Sequence, residues 1–170
     1  NKQDITKLIQ KLRFEIPDIV IRTTIIVGFP GETAEDFNEL YDYINKIKFD
    51  RLGVFTYSRE EGTTAYNFED QIDEDTKNQR KDKLMKLQKS ISLDFNRKKV
   101  GKTYKVLIEE EVDDGVYIGR TYMDSPDIDG ILFIKSKEEL KIGQWISVRI
   151  TDYLEYDLIF LSISLAFILL

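Results

Sequence analysis

The sequence predicts two kinds of structure in tandem: an α/β segment and then a small all-β barrel, joined by a long charged helix. Three observations predict it. Up to Ser58, helical apolar spacing alternates with β-branched runs in the order helix, strand, helix, strand. Asp73 to Lys99 is charged but carries one apolar stripe. From Lys102 onward the periodicity falls to two, with short strands split by Asp-Gly and Ile-Gly turns.

Each element follows from its residues. Ile5, Leu8, Ile9, Leu12 and Ile16 recur at helical spacing, and Pro17 closes that helix. Val20 to Phe29 is dense in β-branched residues and reads as a buried strand. Thr33 and Asp36 form a helix-start pair, followed by an apolar stripe of Phe37, Leu40, Tyr41, Ile44 and Ile47. Asp50 to Ser58 is the second strand, so this βαβ unit implies parallel neighbours with a right-handed crossover. "REEGTTAYNFEDQIDED" reads as an irregular loop. In the long helix Leu84, Leu87, Ile91 and Phe95 share a face. Its cations Arg80, Lys81, Lys83, Lys86 and Lys89 are interspersed with acids, which favours a solvated surface over a nucleic-acid patch. "TYKVLIEE", "GVYIGRTY", "GILFIKS" and "WISVRITDY" then predict a closed antiparallel barrel. The expected division is 1–72 for the α/β part, 73–99 for the linking helix, 100–160 for the barrel and 161–170 for an atypical apolar tail.

Composition sets limits. The 170 residues carry a net charge of −6 and include no cysteine and no histidine. This chain therefore supplies no disulfide, no thiolate or imidazole metal ligand and no imidazole catalysis. It opens on Asn1 without a basic-apolar leader, which reads as a piece of something longer. Leu158 to Leu170 is apolar but shorter than the roughly 18–20 residues that cross a bilayer, so a final barrel strand and a tail are expected rather than a membrane anchor.

The junction "VGFPGET" after the first strand bears most directly on function. In parallel α/β folds, ligands bind beyond the carboxyl ends of the strands. Gly28 and Gly31 permit close backbone approach or positive φ, Pro30 stiffens the turn, and the next helix starts with unpaired amides. The same residues also suit a tight strand-to-helix turn, and the spacing alone leaves both readings open.

Four stretches in order, "RTTIIVGFPGET.EDF", "FDRLGVFTYSREEGT.AY", "L..LQ..IS...N....GK" and "GRTYMDSPDIDG", resemble the C-terminal part of radical-SAM methylthiotransferases that end in a TRAM domain. Within that family the resemblance is to the RimO-like branch and spans roughly Asp18 to Leu158. It implies the C-terminal part of a partial (β/α) radical SAM barrel, a linking helix and an OB-like TRAM barrel. It also implies a cytoplasmic parent enzyme using S-adenosyl-L-methionine and two [4Fe–4S] clusters, whose ligands are absent here, so the segment is expected to be inactive alone. In that family one cluster serves to cleave S-adenosylmethionine to a 5′-deoxyadenosyl radical, and in its RimO-like branch a methylthio group enters at an aspartate β-carbon of ribosomal protein S-twelve.

The resemblance and strand alternation together nominate site residues. Arg22, Thr24, Ile26 and Gly28 share one face of the first strand, and Gly53, Phe55 and Tyr57 one face of the second. Arg22 would serve the cofactor's carboxylate or a structural ion pair. Gly28, Phe29 and Gly31 would flank its adenine, and Thr24 would lie beside them. Phe55 and Tyr57 would wall the cavity or pack as core. Glu32 would bond the cofactor or simply favour the helix start. No metal ligand and no catalytic residue is expected in this segment.

The stretch "GRTYMDSPDIDG", with its RimO-like turn "MDSPDIDG", nominates Arg120, Asp124, Asp127 and Asp129 for substrate docking. Residues 100–158 hold seven cations against thirteen anions. Such a barrel suits a basic ribosomal protein better than the tRNA modified by the MiaB-like branch. A non-catalytic TRAM binding module is the reading from another class. Two departures from the family pattern stand out: Thr64 where proline is usual, and the apolar tail after Asp157.

Overall fold

Helix α1 (Lys2–Glu15) starts in a capping box in which the Asn1 side chain accepts the Gln3 and Asp4 amides, and it stops before Pro17. The computed structural model describes residues 1–161. They divide into two compact units, Asn1–Ile91 and a second from Ser92 onward.

In the first unit β1 (Arg22–Val27), α2 (Ala34–Ile47) and β2 (Arg51–Thr56) form the expected βαβ unit. The strands pair in parallel, Arg22 opposite Arg51 and Val27 opposite Thr56. One face of this small sheet carries Thr23, Ile25, Val27, Leu52 and Val54. Val27, Leu52 and Val54 are buried there, as are Ile9, Phe37, Ile44, Ile47 and Phe49 from the helices and the β2 approach. The other face is open: Ile26 is 57% and Phe55 59% exposed.

Arg13 fastens α1 to the end of α2. Its guanidinium donates to the Ile47 and Lys48 carbonyls at 2.6 and 2.7 Å, satisfying acceptors that a helix end leaves over. Lys48 itself closes α2 in the left-handed region with φ 55°. Only Ile9 of the α1 stripe is fully buried, while Ile5, Leu8 and Ile16 stay exposed. A cavity of about 390 Å³ lies on the helix-covered side, bounded by Ile5, Ile25, Leu40, Tyr43 and Phe49 among others.

A 3-10 turn at Thr64–Asn67 interrupts the loop before α3 (Glu74–Arg97). Asp36 holds the start of α2 by accepting from the Thr33 amide and hydroxyl. Asp73 does the same for α3 through the Thr76 amide and hydroxyl. Each carboxyl is held below its ordinary pKa, first by the backbone bond and then by the hydroxyl. Because the folded values are lowered, these caps contribute fully above the ordinary carboxylate range and are lost as pH falls through the folded values. With no histidine to titrate between, stability is expected to be flat from about pH 5 to 8 and to fall below about pH 4. Urea midpoints across that range would check it, and a step near pH 6–7 would contradict it.

The second unit is built on β3 (Thr103–Asp113), β4 (Val116–Arg120), β5 (Leu132–Lys135), β6 (Trp145–Arg149), β7 (Asp152–Tyr153) and β8 (Leu158–Leu161). Their order is β6-β3-β4-β5-β8-β7. β6 and β7 are two halves of one bent stretch: the Ile150 amide still reaches back to Lys102, and the Thr151 amide already reaches Ile159. The sheet therefore curls until its first and last strands are continuous. Its interior is filled by Val106, Ile108, Tyr117, Leu132, Ile134, Ile146, Val148, Leu158 and Phe160.

The sheet is mixed, not antiparallel as the sequence suggests: β5 and β8 run parallel. Topology demands this. Counting β6 and β7 as one strand leaves five around the ring, and an odd ring cannot alternate direction throughout. The apolar run after Asp157 supplies β8 as far as Leu161, and residues 162–170 of the tail lie outside the described residues.

Two devices hold the corner before β8. Gly130 faces the Tyr156 carbonyl so closely that a Cβ there would stand 1.9 Å from that oxygen. The Asn96 amide, at the end of α3, is aimed at the carbonyls of Leu154, Glu155 and Asp157 at 3.2–3.4 Å. Among the described residues no helix is long and apolar enough to cross a membrane.

Candidate functional site

The loop between β1 and α2 is set by its own glycines and by α3. Gly28 and Gly31 take φ of 74° and 84°, where other residues are strained. The Gly28 amide donates to Glu32 Oε1 at 3.1 Å, and the Gly31 amide to the Asp70 carbonyl at 2.9 Å. Arg80 of α3 donates to the same Glu32 Oε1 at 2.6 Å and to the Glu32 carbonyl at 3.1 Å. Lys77, one turn earlier, lays its stem against Gly28, and its side chain is 4% exposed. Its ammonium bonds Glu74 at 2.6 Å and sits 5.4 Å from the Tyr57 ring centre.

Aromatic rings gather at the same end of the strands. Phe29 meets Tyr57 edge-on at 5.2 Å and Phe68 at 6.1 Å. The Tyr57 hydroxyl is buried and has no hydrogen-bond partner among the described residues. Such an orphan is costly and marks a place where an added polar group would be welcome. Around the position of a Gly31 Cβ there is open space.

Gly28, Phe29, Gly31 and Tyr57 are thus brought together beyond the carboxyl ends of β1 and β2. Thr24 and Phe55 lie on the open face below them, adjoining Gly53. Arg22 is not brought to the loop. It begins β1, exposed, about 20 Å from Gly28 at the usual rise per residue. Glu32 serves the loop itself.

The latch on Glu32 was not legible in the sequence. Arg80 belongs to a basic run that reads as solvated, yet its side chain is only 11% exposed and Glu32 only 13%. Lys83 stays exposed as that reading expects, while lying over the Phe37 and Tyr41 rings. Phe68 sits in a stretch without periodicity, so nothing in the sequence pointed to it.

In the second unit Arg120 forms a half-buried pair with Glu109 at 2.5 Å. Asp124 accepts from the Thr121 amide and hydroxyl, and Asp129 accepts from the Ser125 amide, so both hold the turn together. Asp127 is exposed at its tip with φ 60°, beside the exposed Ile128. No group of three or more His, Cys, Asp or Glu able to hold a metal occurs among the described residues.

Comparison with known proteins bears on both units. Residues 100–160 match the TRAM domain family. Over 157 residues, 92% of this chain, it is 54% identical to the ribosomal protein uS12 methylthiotransferase RimO of Clostridioides difficile (strain 630). The namesake from Clostridium kluyveri is 56% identical over 93% of the chain, and that from Thermoanaerobacter sp. (strain X514) 51% over 94%. The chain belongs to the RimO family. It matches the C-terminal part of these relatives and spans 35–36% of their length. The RimO resemblance therefore covers the βαβ unit and its glycine loop as well as the TRAM barrel.

Proposed function

We propose that this chain is the C-terminal segment of a radical-SAM methylthiotransferase acting on the β-carbon of an aspartate in ribosomal protein S-twelve. The observation that carries the reading is identity above one half with RimO proteins across both units, not the barrel alone. Under this reading β1 and β2 are the last strands of a partial (β/α) barrel, and their open apolar face looks into it. The limits of 1–72, 73–99 and 100–160 go with this reading, with the two compact units dividing inside the middle segment, between Ile91 and Ser92.

S-adenosylmethionine fits the residues present. Its adenine would lie against Phe29 and Tyr57, with the Gly28–Gly31 backbone close beside it. The Tyr57 hydroxyl would gain the partner it lacks, and Thr24 and Phe55 would line the face below. When bound, the cofactor would supply a carbon radical for hydrogen abstraction, the electron for its cleavage coming from a cluster held elsewhere in the parent enzyme. What this chain contributes is shape and orientation at the loop, and exclusion of water by the aromatic rings. The [4Fe–4S] clusters do not fit: the segment has no cysteine or histidine to hold them, and no step is assigned to it through them.

The barrel would dock the substrate, its excess of acids facing a basic ribosomal protein in the cytoplasm. Asp127 at the turn tip is the best placed of the nominated acids. Arg120, Asp124 and Asp129 would act by holding the surface that presents it.

The test is the full-length enzyme carrying this segment, reconstituted and offered the ribosomal protein or a tRNA. A methylthio group on an aspartate of the protein is the expected product. Modification of the tRNA would transfer the chain to the MiaB-like reading, and modification of neither to a binding module. A sharper check is Tyr57→Phe. Removing an orphan hydroxyl is expected to leave stability unchanged or slightly higher, yet to weaken S-adenosylmethionine binding about ten-fold. Unchanged affinity would remove Tyr57 from the site.

A further inference from the structure

Glu32 Oε1 accepts two hydrogen bonds, one from the Gly28 amide and one from Arg80 of α3. The first fixes the backbone where the strand turns into the loop. The second fixes the carboxylate that fixes it. Lys77 closes the remaining freedom, because its buried stem occupies the space beside Gly28 where a Cβ would stand 2.3 Å from Lys77 Cγ. Sequence separation makes this an unusual arrangement: Arg80 lies 48 residues beyond Glu32, on a helix that contributes no strand to the sheet.

We propose that Arg80 and Lys77 are positioning residues for the cofactor loop, acting through Glu32 and Gly28 and touching no ligand themselves. The proposal rests on the cofactor reading above and deepens it. A loop held from one side only by glycines would sample many conformations, and binding would have to select one of them. With the Glu32–Arg80 pair in place, the loop is already in the shape that a ligand meets. Both side chains are about nine-tenths buried, so solvent screens the pair little, and removing Arg80 leaves Glu32 without its strongest partner.

Two readouts separate the latch from the cofactor reading. The first is amide hydrogen exchange of Gly28 in this chain, comparing Arg80→Met and Arg80→Lys with the parent. Loss of one charge-assisted bond is expected to speed Gly28 exchange about ten-fold or more in Arg80→Met. Ile44, inside α2, should keep its protection, and Arg80→Lys should recover part of the loss. The second is S-adenosylmethionine affinity in the full-length enzyme. It should weaken about ten-fold in Arg80→Met, with kcat at saturating cofactor changed much less. Unchanged Gly28 exchange would overturn the latch. Faster exchange with unchanged affinity would overturn the cofactor-positioning role while leaving the latch as a structural tie. Should Arg80→Met not fold, Glu32→Gln keeps the volume and an acceptor, and a smaller loss of Gly28 protection is expected from it. No loss in that variant would equally count against the latch.

Discussion

Gly28→Ala is expected to cost about 3 kcal/mol of stability in the first unit. Two terms combine. A φ of 74° costs a residue with a Cβ about 1–2 kcal/mol. The new methyl also meets Lys77 Cγ at 2.3 Å, and overpacking of this kind costs about 1–3 kcal/mol. Lys77 cannot swing clear easily, because the contact is near the base of a buried side chain whose far end is tied to Glu74. Combining the change with Lys77→Ala relieves the contact but not the backbone strain. A double-mutant cycle followed by amide exchange of Ile44 should give a favourable coupling of about 1 kcal/mol or more. A coupling of zero would mean that Lys77 does not pack on this loop.

Gly130→Ala should be at least as damaging in the second unit. There the obstacle is a backbone carbonyl, with the added Cβ only 1.9 Å from the Tyr156 oxygen. Neither chain can yield without breaking adjacent pairing, since the Ile131 amide is held by Asp157 and the Leu158 amide by the Ile131 carbonyl. The cost is expected to be about 3 kcal/mol or more, at the upper end of usual single substitutions. Trp145 is the only tryptophan and lies in β6, 61% exposed, so its fluorescence reports this unit. The urea midpoint it reads should fall by about 1–2 M. A midpoint within experimental error of the parent would show that the two backbones do not approach as described.

Local patterns make much of the fold legible in the sequence. The β1–α2–β2 unit could be read because the β-branched run, the Thr33–Asp36 capping pair and the α2 stripe each act over a few residues. Barrel strands were visible for the same reason. What stayed hidden depends on partners far along the chain. The parallel pairing of β5 with β8 joins Leu132 to Leu158, and only the ring as a whole decides its direction. The bend that splits "WISVRITDY" into β6 and β7 is likewise set by which neighbour each half meets. In the candidate site, the glycines and aromatic residues announced themselves by type. Arg80 and Lys77 did not, because a buried cation and a solvated one look alike in a helical charge pattern. For Arg22, alternation gives the face it shares and the length of the strand gives its distance from the loop.

The Asn96 amide and the three carbonyls it faces also bear on how this protein can be recombined with its relatives. A barrel excised at Val100, where the β pattern begins, would leave its corner carbonyls without the donor that this chain gives them. The last turns of α3 belong to the barrel by hydrogen bonding although they belong to the preceding helix by sequence. A barrel moved onto another protein should therefore carry α3 from upstream of Ser92 unless the recipient helix supplies its own asparagine at this place. The heritable module begins inside a helix.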